Sequence, residues 1–206
     1  MDKTLLVVST NREICADTQL SIEAVQRLGA GLVLQRGTSD VALARNIALS
    51  MTMDALRKHP DRDVVLMVDD DMLFAVEAAQ QVVDRVRASG GPASGVYVNT
   101  SNAIAAMPWG SSWVTGLGFL AIPRAALFAL AESCAVFTFR GAQYYGFTGT
   151  SVEAERWFSE DYRLTQRLGG VELLPVEIGH IKRVPLYPSK EILRRIAAGE
   201  ALPEVK

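Results

Sequence analysis

Five apolar residues, Val64-Val65-Leu66-Met67-Val68, run without interruption into Asp69-Asp70-Asp71. A short unbroken apolar run rich in β-branched residues predicts a strand buried on both faces, as in sheets covered by helices on either side. The carboxylates then stand at the strand's carboxyl end, where open α/β sheets hold their ligands. Three adjacent like charges repel, so water on an exposed turn or a divalent cation must offset them. A hard cation with oxygen ligands also holds phosphates, which points to phosphate or nucleotide chemistry. A solvated turn is the alternative reading, disfavoured by the apolar run before the triplet and by Met72-Leu73-Phe74 after it.

Strand and helix patterns alternate three times through the first half, the signature of a parallel α/β sheet. Leu5–Val8 reads as a strand ending in polar Ser9-Thr10-Asn11. Asp17 or Thr18 is expected to cap a helix with Leu20, Ala24, Val25 and Leu28 on its apolar face, ended by Gly29. Leu32–Leu34 is a second strand. Ser39 or Asp40 caps a helix running through Ala44 and Ile47 towards Leu56, with Pro60 beyond it. After the Val64–Val68 strand, Val76, Ala79, Val82, Val83 and Val86 mark one helix face, closed by Gly90-Gly91. The second half differs. Gly95–Val98, Trp113–Ile122 and Ala135–Phe139 read as strands with little helix between them, and 140–152 as a mobile loop. A helix from Ser159 or Glu160 to Leu168 precedes a strand over Val171–Val176, and a short helix around Ile192, Leu193 and Ile196 ends the chain.

At 206 residues, with 49% apolar and 21% charged, the chain suits one soluble globular domain. The net charge of −2 gives no general attraction to nucleic acid or anionic membrane. It is uneven: Lys182 to Lys206 carries six Lys/Arg against three Glu, an excess of +3 that leaves about −5 elsewhere. Cys15 and Cys134 show no pairing or metal-ligand pattern, and no signal peptide precedes the first strand, so a cytoplasmic setting is expected. Residues 96–123 lack charge, but Asn99, Asn102, Pro108, Gly110 and Gly116 interrupt them too often for a membrane span.

Four further motifs accompany the Asp69-x-Asp71 pair in order. They are Ala44-Arg45-Asn46 one helix upstream, Gly116-Leu117-Gly118 opening an apolar strand that leads to Arg124, Ser159-Glu160-Asp161 opening a helix before Gly169-Gly170, and Gly179-His180-Ile181. Together, over roughly residues 4–185, they resemble the nucleotide-sugar glycosyltransferases of the GT-A fold, particularly family 2-like enzymes and their short bacteriophage relatives. The resemblance implies one GT-A (Rossmann-like) α/β domain over 1–185, with a mixed, mostly parallel central sheet flanked by helices. Its nucleotide-binding half would be 1–100 and its acceptor half 101–185, followed by a basic helical tail over 186–206. It also implies a monomer or homodimer, in host cytoplasm if viral.

By this resemblance Asp71 and His180 hold Mn²⁺ or Mg²⁺, with Asp69 near the ribose or a metal-bound water, and Asp70 is the spacer on the donor side. The cation would bridge the diphosphate of the donor, a UDP-sugar, and offset charge building on the leaving group. Arg45 and Asn46 would reach the pyrophosphate or base, Asp40 would lie near the nucleobase, and Thr10 and Asn11 would bond it. Asp161 would be the base that deprotonates the acceptor hydroxyl in an inverting displacement, supported by Glu160. Gly116 and Gly118 would let backbone approach the donor sugar. Plainer structural readings stand beside these: a snorkelling Arg45, a His180 bonded to a carbonyl, acids placed by a helix dipole, and a β-bulge at the glycines. Trp109, Trp113 and Trp157 either stack on ligand or pack in the core, and His59 belongs to a surface turn.

The acceptor suggested by the phage relatives is a hydroxymethylated base in DNA. The basic tail and the aromatic Tyr144-Tyr145-Gly146-Phe147 segment are compatible with phosphate contact and base stacking. Three competing activities share parts of this pattern. A haloacid-dehalogenase-type phosphatase uses Asp-x-Asp, but on a first strand and with Thr or Val where Leu73 stands. A two-metal nuclease or nucleotidyltransferase would use Asp69, Asp71 and Asp161. A catalytically silent nucleotide-sugar-binding module would keep the fold without turnover.

Overall fold

The computed structural model of the chain describes residues 1–99, 103–153, 156–182 and 185–200, without the side chains of 152–153, 156–158 and 185. Asn102, the Trp157 side chain and Lys206 therefore lie outside the described residues. The first half alternates as its sequence predicts: β1 (Thr4–Thr10), α1 (Ala16–Arg27), β2 (Gly31–Arg36), α2 (Val41–Lys58), β3 (Val64–Asp69), the short β4 (Met72–Leu73) and α3 (Val76–Ser89). There follow β5 (Ala93–Val96), β6 (Ala106–Trp109), β7 (Ser112–Thr115), β8 (Phe119–Pro123), α4 (Arg124–Glu132), β9 (Val136–Phe139) and β10 (Ala142–Tyr145). The chain continues with β11 (Ser151–Glu153), β12 (Arg156–Phe158), α5 (Glu160–Arg167), β13 (Glu172–Glu177), β14 (Gly179–Ile181), β15 (Pro185–Leu186) and α6 (Lys190–Ala197).

The central sheet has the order β13-β5-β8-β3-β1-β2. All its strands are parallel except β8, which runs against both β3 and β5. Alternate residues of the buried strands feed two cores, as the two-residue period requires. Leu6, Val8, Leu66, Val68 and Phe119 pack under α1 and α3. Leu5, Val7, Val65, Met67 and Leu120 pack under α2, α4 and α5. The result is a Rossmann-like α/β domain with a mostly parallel sheet between two helical layers. Among the described residues, no helix is long and apolar enough to cross a membrane.

Several local expectations change. α1 starts at Ala16 with Cys15 as an N-cap that makes no side-chain bond, not at Asp17 or Thr18. It buries Ile22 and Val25 and leaves Leu20 and Leu28 exposed. The expected Trp113–Ile122 strand is two strands, since β7 folds back on β6 while β8 enters the main sheet. α4 stands where little helix is expected; its run from Ala125 to Ala131 is apolar on nearly every side and shows no period. The expected loop over 140–152 contains β10, which pairs with β9 across Arg140-Gly141. Both turn residues have positive φ, 51° and 79°, the requirement of a two-residue type I′ hairpin. α6 lies against β13.

Gly95 shows how tightly β5 and β13 fit. A Cβ there would meet Ile178 Cγ1 at 2.6 Å and the Val176 carbonyl oxygen at 3.1 Å. Gly95→Ala should therefore cost about 1–3 kcal/mol in urea unfolding and lower Tm by roughly 2–4 °C per kcal/mol.

Candidate functional site

β1 pairs with β2 on one side and β3 on the other, so the crevice at the carboxyl ends of β1 and β3 is a topological switch point. Ser9 and Asp69 stand side by side there. A cleft of about 320 Å³ opens above them, lined by Thr10, Asn11, Arg12, Thr38, Ser39, Arg45, the Asp69–Asp71 triplet, His180 and Lys182. That volume lies at the lower end of the range for small-molecule and cofactor sites. A second cavity of about 220 Å³ adjoins it through Asp69 and His180, and holds Tyr97, Gly116, Asp161 and Tyr162.

The three carboxylates have different partners. Asp69 takes two bonds from Arg45 Nη2, at 3.1 and 2.9 Å. Asp70 is more than a spacer: it accepts from the Thr10 hydroxyl and from the Arg12 fork, at 3.2 Å from Nε and 2.9 Å from Nη2. Asp71 is buried beside Lys182 Nζ at 2.7 Å, Arg12 Nη2 at 3.2 Å and His180 Nε2 at 3.4 Å. Burial raises the Asp71 pKa, but the bonds from His180 and Lys182 outweigh it and bring the carboxyl down to about 2. The Asp70 carboxylate, with a smaller contribution from Asp71, holds Arg12 above its ordinary value.

β14 delivers His180. Its pairing with β4 sets His180 opposite Met72, and Ile181 N–H bonds the Asp71 carbonyl at 2.7 Å. His180 Nδ1 lies 2.8 Å from the Val98 carbonyl, which can only accept, so Nδ1 carries hydrogen. Nε2 faces Asp71: it donates to that carboxylate when it carries hydrogen, and offers a lone pair to a cation when it does not. Metal-binding histidines are characteristically fixed in this way.

Arg45 closes the opposite wall. Its side chain is 5% exposed and meets Asp69, Glu160 at 2.9 Å and Asp161. Burial works against its charge, yet Asp69 and Glu160 raise its pKa above the ordinary value. Among the described residues lining the cleft, three carboxylates (Asp69–Asp71) face three cations (Arg12, Arg45 and Lys182), and the two further carboxylates that share Arg45, Glu160 and Asp161, lie outside the cleft. The expected trio of Asp69, Asp71 and His180 is not assembled, because Asp69 turns to Arg45. No group of three such ligands forms among the described residues. Asp71 and His180 alone fit the role by chemistry and by the fixed imidazole.

Other site expectations meet different geometry. Asn46 does not reach the cleft: its amide clamps Thr148, donating to the carbonyl at 3.0 Å and accepting from the N–H at 2.9 Å. Asp40 is the N-cap of α2, accepting from Leu43 N–H at 2.8 Å, while its neighbours Ser39 and Val41 line the cleft. The space left by Gly116 and Gly118 is filled by Tyr97. Its hydroxyl accepts from Gly118 N–H at 2.9 Å and would collide with a side chain at Gly116. Glu160 lines neither cavity, whereas Asp161 lines the second. Trp109 and Trp113 border neither cavity, and His59 is exposed. Phe147 is fully buried with Tyr145 packed on it at 5.6 Å, so the aromatic segment offers no open stack there for a base.

Sequence reasoning missed Arg12, Lys182 and Tyr97. The available signals were position alone: Arg12 lies two residues beyond Thr10, and Lys182 two beyond His180.

Arg45→Met would leave three carboxylates facing one another, and should cost about 3–5 kcal/mol in urea unfolding at pH 7. The loss should shrink as pH falls and those carboxylates take up protons. Asp71 follows the same direction of pH dependence. Its folded pKa of about 2 lies below the ordinary 3.8, so its contribution is complete above pH 4 and fades as pH falls through 2. Asp71→Asn should cost about 1–2 kcal/mol at pH 7, allowing for solvent at Lys182 and Arg12. The gap from wild type should narrow between pH 4 and 2.

No family model matches the sequence, and no curated protein matches it. Solved structures do. The chain superposes on A197 from STIV with a TM-score of 0.57 and 16% identity, covering 100% of this chain and 98% of that one. It also matches a glycosyltransferase involved in glycosylation of the major capsid of PBCV-1, with a TM-score of 0.41 and 14% identity over 61% of this chain and 62% of that one. At such identities, the full-length match establishes a shared fold.

Proposed function

We propose that the chain is a metal-dependent glycosyltransferase that moves a sugar from a nucleoside-diphosphate donor, a UDP-sugar, to an acceptor hydroxyl. One observation carries the reading. Asp71 and a His180 whose Nδ1 is tied to a backbone carbonyl adjoin a switch-point cleft, and Asp161 stands in the cavity next door. Asp71 and His180 are the residues that would hold Mn²⁺ or Mg²⁺, which supplies positive charge against the departing diphosphate. Arg12 and Lys182 have ends exposed enough to turn from the carboxylates to the donor phosphates. Thr10, Asn11, Thr38 and Ser39 offer hydrogen bonds to the nucleoside.

Asp161 takes the proton of the acceptor hydroxyl as the acceptor oxygen bonds the anomeric carbon and the bond to the phosphate oxygen breaks, which inverts the sugar. Arg45 holds Asp161 against β3 and Asp69, between the two cavities. Glu160, outside both, helps fix Arg45 and does not touch the acceptor.

UDP and UDP-sugars should raise Tm more with Mn²⁺ than without it, and turnover should release UDP. Asp71→Ala should remove both effects. Asp161→Asn should lower kcat about 10²–10⁴-fold while leaving the Mn²⁺-dependent Tm shift with UDP. Transfer assays should include small glycans, peptides and hydroxymethylated DNA. Phosphodiester or phosphomonoester cleavage without sugar release, or no stabilisation by any nucleoside diphosphate, would overturn the proposal.

A further inference from the structure

The residue that most directly opposes cation binding is not a catalytic group but Lys182. Its ammonium lies 2.7 Å from Asp71 Oδ2, while His180 Nε2 lies 3.4 Å from Oδ1 of the same carboxylate. One oxygen of the proposed metal ligand is therefore already held by an internal cation, while the other faces the imidazole that would share the metal. Arg12 reaches Asp71 as well, at 3.2 Å, but spends its stronger fork on Asp70. The Lys182 side chain is 37% exposed and follows β14 directly, so it can leave Asp71 by rotating about its own stem without disturbing the sheet.

We infer that Lys182 is a placeholder cation: it occupies Asp71 until a nucleoside diphosphate draws its ammonium away, and so makes metal binding conditional on the donor. The inference rests on the metal site proposed above. A divalent ion brought to Asp71 while Lys182 remains would meet a positive charge within van der Waals reach of the carboxylate it needs. Diphosphate oxygens remove this conflict by giving the ammonium a second, doubly charged partner. Two ligands then bind each more tightly in the presence of the other, a coupling that must be reciprocal. The free protein keeps its buried Asp71 neutralised, which avoids leaving a desolvated carboxylate unpaired.

The test is Mn²⁺ binding, read from the free-ion EPR signal and by calorimetry, for wild type, Lys182→Met and Lys182→Arg, each with and without UDP. Without UDP, Lys182→Met should bind Mn²⁺ about tenfold more tightly than wild type, whereas Lys182→Arg should stay as weak. UDP should tighten Mn²⁺ binding strongly in wild type and much less in Lys182→Met. A purely structural lysine could not produce a gain of affinity on removal, and that gain also shows the variant to be folded. Equal Mn²⁺ affinity of wild type and Lys182→Met without UDP, with UDP-assisted binding in both, overturns the placeholder role and leaves the metal site standing. Absence of Mn²⁺ binding in all three proteins, with and without UDP, overturns both.

Discussion

A buried guanidinium shared by three carboxylates is the interaction on which the rest of the site depends. Arg45 comes from the middle of α2, Asp69 ends β3, and Glu160 and Asp161 begin α5. Stripping a guanidinium of water costs several kcal/mol, and only well-placed carboxylates repay it. The cluster therefore constrains where α5 starts relative to the sheet, although 115 residues separate Arg45 from Glu160. The next residue extends the constraint. Asn46 clamps Thr148, whose hydroxyl donates to the Glu160 carbonyl, so two consecutive residues of α2 hold the far wall of the cleft.

That arrangement explains the charge pattern of the near wall. Arg45 is consumed by Asp69, Glu160 and Asp161, so it leaves nothing for Asp70 and Asp71. Those two recruit Arg12 and Lys182 from loops that follow β1 and β14. The two walls differ in exposure for the same reason. Arg45 is enclosed, whereas Arg12 and Lys182 are partly in water and can exchange a carboxylate for a phosphate. β8 completes the frame: running antiparallel, it brings Gly116 and Gly118 past the end of β3, where they make room for Tyr97. Burial pushes the Tyr97 hydroxyl well above its ordinary pKa, with Asp69 adding to the shift, so it stays a neutral wall of the second cavity.

Much of the frame was legible wherever periodicity survives. The Val64–Val68 run, the face of α3 and the acids opening α5 fall where their patterns put them, because burial on a strand or helix writes a period of 2 or 3.6 into the chain. α4 was hidden because its apolar run shows no period, and the β9–β10 hairpin because an Arg140-Gly141 turn is a weaker signal than Asn-Gly. Among site residues, placement at the cleft was readable for Thr10, Asn11, Arg45, the triplet and His180, and Asp161 lies in the adjoining cavity. The cap that Asp40 makes on α2 was also readable, whereas the partners of Asp70 and the diversion of Asn46 to Thr148 were not.

The sequence by itself determined the class of fold and the strand end that carries the carboxylates, since both follow from local patterns of burial. Only the tertiary structure decided which carboxylate each cation serves. Arg12, Arg45 and Lys182 meet Asp70, Asp69 and Asp71 across separations of 58, 24 and 111 residues. Electrostatic pairing acts through space and desolvation, not along the chain, so no spacing in the sequence records it.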